Sequence, residues 1–97
     1  MHVVLSWDIS NQNLWSEINE QLKTCISNHS WVKPLTTLYI VKVYSSEDLQ
    51  GIIENLTNVA RKYPGDVNIV CTPLMTGGTY NGWLPKNMWD EINARTL

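Results

Sequence analysis

Charge is scarce in this chain. Only 16% of its residues are Asp, Glu, Lys or Arg, and the seven Lys and Arg are outnumbered by nine Asp and Glu, leaving a net charge of −2. Holding nucleic acid through its phosphates requires clustered cations, and cations spread this thinly provide no basic stripe. Long apolar runs are missing too. None approaches the ~20 residues that cross a bilayer, and the N-terminus has no basic segment leading into the apolar core of a secretory signal. The expectation is a cytoplasmic protein with no membrane partner. Cysteine is rare: Cys25 and Cys71 stand far apart with no CxxC spacing, which points to reduced core thiols. The two histidines, His2 and His29, are isolated from each other and from other ligating residues, so each is expected at the surface or in a turn.

What is present is a globular composition, 43% hydrophobic with five tryptophans in 97 residues, and a length that supports one core. In "HVVLSWDIS" (2–10) the apolar residues Val3, Leu5, Trp7 and Ile9 alternate with Val4, Ser6 and Asp8, the period-two pattern of a strand. Asp8 falls on the less apolar face at the strand's end. "SNQN" reads as a turn, with Asn13 the expected N-cap of a helix whose apolar stripe is Leu14, Ile18, Leu22 and Cys25 or Ile26.

"WVKPL" follows as a short extended piece, and Pro34, which has no N–H for a ladder, assigns it to a sheet edge. "TT" turns it into "LYIVKVY", the most strand-like run in the chain. "SSED" then opens a second helix: Ser45 or Ser46 is its cap, Glu47 and Asp48 suit its first turn, and Leu49, Ile52, Ile53, Leu56, Val59 and Ala60 form its stripe. "YPGD" stops it. "VNIVCTPL" is the last clear strand.

The order is β, α, β, β, α, β. It predicts an α+β, ferredoxin-like domain over 1–74, one antiparallel sheet with two helices on one face. Residues 75–97 form a C-terminal extension: three of the five glycines in a turn-rich stretch, then a short helix with Pro85 at its N1 position and Met88, Trp89 and Ile92 as its stripe. Trp83 and Trp89 are large apolar groups beyond a complete fold. They either fold back over the open sheet face or bury themselves in another subunit.

Two stretches of this chain resemble a known family. "VVLSWDIS" looks like the opening strand of the small CRISPR-associated adaptation proteins, Cas-two, which ends in an aromatic-Asp pair, here Trp7-Asp8. "SWVKPLTTLYIVKVYSSEDLQGIIENL" is similar to the SinR-like relatives of that family, where a tryptophan-led strand, tight turn, strand and Ser-capped helix follow in the same order. The resemblance spans roughly residues 2–74, and only Asp8 is carried over as a site residue. It implies a homodimer in which first-strand aspartates face each other, some members holding a divalent metal to cut nucleic acid and others acting as scaffolds, in a mobile-element or phage-defence setting. The basic residues such proteins lay along DNA are not evident here: the first helix offers Lys23, and the hairpin Lys33 and Lys42.

Two functional classes therefore stand side by side. In the first, Asp8 from each of two protomers binds Mg²⁺, which often needs only one or two protein carboxylates. The metal lowers the pKa of a bound water for phosphodiester cleavage, and Ser6 or Ser10 orients water or phosphate. Against it stands a structural role for Asp8, accepting backbone N–H groups in "ISNQN" or capping the first helix. In the second class the protein is a non-catalytic homodimeric interaction module for a protein partner, with Trp83, Met88, Trp89 and Ile92 as interface residues, since Trp is enriched among residues that carry binding energy. The second is favoured. Single-stranded nucleic-acid binding on the sheet is disfavoured, because Tyr39 and Tyr44 lie on opposite faces by parity and no RNP-like motif is present. "TGGTYNG" lacks the Walker lysine and reads as a flexible turn. "NHS" (28–30) reads as a turn as well, and with "NLT" (55–57) it matches the glycosylation pattern without a signal peptide to support it.

Overall fold

The computed structural model describes residues 1–75 and 82–95. In chain order the elements are β1 (His2–Ile9), α1 (Trp15–Thr24), β2 (Trp31–Leu35), β3 (Leu38–Lys42), α2 (Ser46–Lys62), β4 (Val67–Cys71) and α3 (Lys86–Arg95). The four strands form one antiparallel sheet in the order β2-β3-β1-β4. The architecture is α+β.

Alternation along β1 decides which side of the sheet is covered. Val3, Leu5, Trp7 and Ile9 are buried with Tyr39, Val41 and Val43 against Ile18, Leu22 and Ile26 from α1 and its exit, and Ile52, Leu56 and Val59 from α2. Trp7 stacks on Tyr39 with ring centroids 4.6 Å apart, Trp31 meets the same ring edge-on at 5.4 Å, and the Trp7 indole N–H donates to Asn19 Oδ1 at 3.0 Å. An indole buried this way keeps its polar atom bonded. Strand β1 lies inside the sheet, between β3 and β4, and begins one residue earlier than its alternation indicates: His2 exchanges backbone hydrogen bonds with Met75. Strand β2 is an edge, as Pro34 demands, and its pairing with β3 shifts between Val32 and Leu35, so the proline sits where the ladder is irregular.

The first helix differs from its expected start. Asn13 does not cap it; Asn11 Oδ1 accepts the Leu14 N–H at 3.1 Å, and Leu14 occupies the N-cap with φ −108° and ψ 9°. Off the helical path, Leu14 leaves the stripe and is exposed, so the stripe runs Ile18, Leu22, Ile26. Helix α2 follows its sequence signals. Ser45 Oγ accepts the Asp48 N–H, Glu47 and Asp48 occupy the first turn, Arg61 and Lys62 the last, and Gly65 at φ 79° lets the chain reverse into β4. β3 ends at Lys42, short of Tyr44, because the Tyr44 N–H is drawn to the Asp48 carboxylate at the head of α2.

The helix of the extension is present, shifted by one residue. Pro85 stands just before α3, and its carbonyl accepts the N–H groups of Met88 and Trp89 at 3.0 and 3.3 Å. α3 packs on β2 and β3. Ile92 is 1% exposed, and with Trp89 it shares a pocket with Val4, Leu38 and Ile40, residues of opposite parity to the core set. α3 therefore covers part of the sheet face that α1 and α2 leave open. "TGGTYN" (76–81) lies outside the described residues.

Candidate functional site

The open face is ordered by strand register. Val70 pairs with Ser6, Ser6 with Leu38, and Leu38 with Leu35, so one row crosses all four strands. The row is apolar except for Ser6, whose hydroxyl donates to the Thr37 carbonyl. Val70 is 69% exposed and Leu35 52%. Trp83, 98% exposed, lies beside Leu35 and Leu38 on the rim of the pocket under α3. Exposed apolar groups that share a face mark an interaction surface, whereas scattered ones carry no meaning.

Two residues beyond Ser6 on the same face of β1, Asp8 pairs with Asn68 of β4. It is exposed on a half-open hollow of ≈ 400 Å³ that it shares with Trp7, Ile9, Ser10, Trp15, Thr37 and Asn68. Neither structural role expected for Asp8 is realised. Asn11 serves the helix start, the Ser10 N–H donates to the Asp66 carbonyl at 2.9 Å, and among the described residues the Asp8 carboxylate has no hydrogen-bond or ion-pair partner. Ser10 Oγ leans on the same Asp66 carbonyl at 3.4 Å. The oxygens of Asp8, Ser10, Thr37 and Asn68 are hard donors of the kind Mg²⁺ takes. Among the described residues no three His, Cys, Asp or Glu side chains gather around a common point. Mg²⁺ is often held by one or two protein carboxylates; Asp8 offers one per chain, and a second copy would supply another.

The expected interface residues divide. Ile92 is buried in its own chain, Met88 and Trp89 are half-buried, and Trp83 projects. Of the two fates open to the extension's tryptophans, Trp89 folds back on the sheet and Trp83 does not.

Sequence spacing gave no warning of one pair. His29, in the turn after α1, and Asp48, nineteen positions on in the first turn of α2, meet with Nε2 2.8 Å from Oδ1. Asp48 Oδ2 also accepts the Tyr44 N–H at 3.0 Å, and its own N–H donates to Ser45 Oγ. The hydrogen bond from His29 holds the Asp48 carboxyl below its ordinary range, helped by the Tyr44 N–H. With Nε2 bonded to Asp48 and Nδ1 buried, this imidazole offers no accessible nitrogen to a substrate. It ties the exit of α1 to the entry of α2. His2, expected at the surface or in a turn, is instead fully buried in β1, and burial lowers its pKa. Cys25 and Cys71 are free, half-buried thiols whose pKa values burial raises. The "NLT" asparagine, Asn55, is exposed within α2.

No protein-family model matches the chain, and neither does any curated protein. No helix among the described residues is long and apolar enough to cross a membrane.

Proposed function

We propose that this chain is a cytoplasmic, ferredoxin-like interaction module related to the Cas-two and SinR-like group, working as a homodimer without catalysis of its own. The strand order β2-β3-β1-β4, with α1 and α2 on one face, supports the ferredoxin-like reading. The observation that carries the function is the row Val70, Ser6, Leu38, Leu35, flanked by Trp83, on a face that α3 covers in part, packing on β2 and β3. A small domain exposing Val70 and Trp83 to this degree gains by burying them against a partner, and a second copy offers the same surface under two-fold symmetry.

One observation favours a second reading, a Mg²⁺-dependent nuclease. Asp8 lies on the same face as the row, exposed and, among the described residues, unbonded. A two-fold axis through that face near Ser6 would bring two Asp8 carboxylates together, and a bound Mg²⁺ would activate water for phosphodiester attack.

Light scattering combined with Mg²⁺ and Mn²⁺ calorimetry separates the two. A dimer without metal affinity is the result expected of the interaction module. A dimer that takes up about one metal per pair, lost in Asp8→Ala, replaces that reading with the nuclease. A monomer at every concentration overturns both.

A further inference from the structure

We infer that the pocket under α3 is a receptor for Trp83 of a second copy of this chain, and that two protomers exchange these indoles reciprocally. The inference rests on the homodimer proposed above and adds its anchor. The pocket has its floor on Val4, Leu38 and Ile40, its wall on Trp89 and Ile92, and a volume of ≈ 230 Å³. A cavity of about 150 Å³ lined by apolar side chains takes up benzene. One of ≈ 230 Å³ has room for the larger indole ring.

Trp83 is the matching knob. It is 98% exposed, whereas Trp7 is 7% exposed and stacked on Tyr39, and Trp31 and Trp89 are half-buried. Because Trp83 stands on the rim of its own pocket, knob and hole are neighbours on one surface. A two-fold axis beside that rim sets each indole over the other chain's pocket, the self-complementary arrangement that closes a dimer. The charged pair in the first turns of α3 does not oppose such a contact, since Lys86 Nζ and Asp90 Oδ2 are bonded to each other at 3.0 Å.

The area predicts how tight the contact is. A Trp side chain buries about 150–250 Å²; two of them with matching pocket lining remove about 600–1,000 Å² in all, just below the ~1,000 Å² at which specific interfaces begin. Leu35, 52% exposed on the same rim, adds to it. The dimer should therefore be weak, forming as concentration rises, with central tryptophans supplying most of its affinity.

Sedimentation velocity on the full chain from low micromolar to millimolar concentration tests this, with Trp83→Ala and Leu35→Arg as variants. Both positions are exposed, so both variants should keep the far-ultraviolet circular dichroism of the parent. Each is expected to weaken self-association at least about a hundredfold. Mixed, they should associate with each other, because Trp83 of the Leu35→Arg chain still fits the open pocket of the Trp83→Ala chain. Tryptophan emission of the parent should move to shorter wavelength as the dimer forms. A mixture that stays monomeric overturns the exchange. So does a Trp83→Ala chain that dimerises like the parent, which leaves the homodimer reading standing. A parent that is monomeric throughout, with Trp83 closed over its own pocket or with that pocket open, overturns both.

Discussion

Replacing Asp48 by Asn removes a charge at the junction of three segments and leaves the Ser45 cap in place. His29 Nε2 lies 2.8 Å from Oδ1, the Tyr44 N–H donates to Oδ2 at 3.0 Å, and the His29 and Asp48 side chains are only 17% and 26% exposed. Hydrogen bonds to charged groups contribute about 1.5–3 kcal/mol, and contact with water screens such a pair. The expected loss near neutral pH is therefore about 1–2 kcal/mol. In a domain of this length each kcal/mol moves the melting temperature by about 4–8 °C, so Asp48→Asn should melt about 4–16 °C below the parent. The pH dependence has a definite sign. Asp48 is held below its ordinary value of 3.8 in the folded chain, so the unfolded chain binds its proton first on acidification. The stability it contributes is complete above that ordinary value and drains away as pH falls through it towards the folded pKa. Thermal unfolding of both chains from about pH 7 to pH 3, followed by circular dichroism, should show their melting temperatures converging in acid. A gap that persists unchanged at the acid end, or no gap at neutral pH, would refute the reasoning.

Ile92→Ala should undock α3. Ile92 is 1% exposed over the sheet, and deleting most of a buried Ile side chain costs about 2–5 kcal/mol, which a urea midpoint will register; a loss below about 0.5 kcal/mol would mean that α3 does not depend on this contact. Asp8→Ala should leave the same midpoint within about 0.5 kcal/mol, since the carboxylate is exposed and has no partner among the described residues; a larger loss would reveal a structural role. Cys25 and Cys71, with pKa values raised by burial, should react with a thiol reagent at neutral pH more slowly than a free cysteine, and a fast phase from either would contradict that burial.

The sequence by itself determined the elements whose signals are local. The alternation of Val3, Leu5, Trp7 and Ile9 places β1's core face because side chains on a strand repeat every two residues. Ser45 starts α2 and "YPGD" ends it because caps and left-handed glycines act on neighbouring backbone. Pro34 belongs at an edge because it has no N–H to give. Even in local structure a competitor could win: Asn11 rather than Asn13 serves the entry to α1, and a helix starting one residue later strands Leu14 in solvent. Tertiary structure decided the candidate site. The row Val70, Ser6, Leu38, Leu35 draws on four strands, and its register is invisible until those strands pair. His29 finds Asp48 only because α1 and α2 pack side by side. Trp83 and Ile92 both read as large hydrophobic residues in the sequence, yet the sheet buries one and leaves the other out, because burial depends on which surface lies opposite and no residue carries that information in its own type.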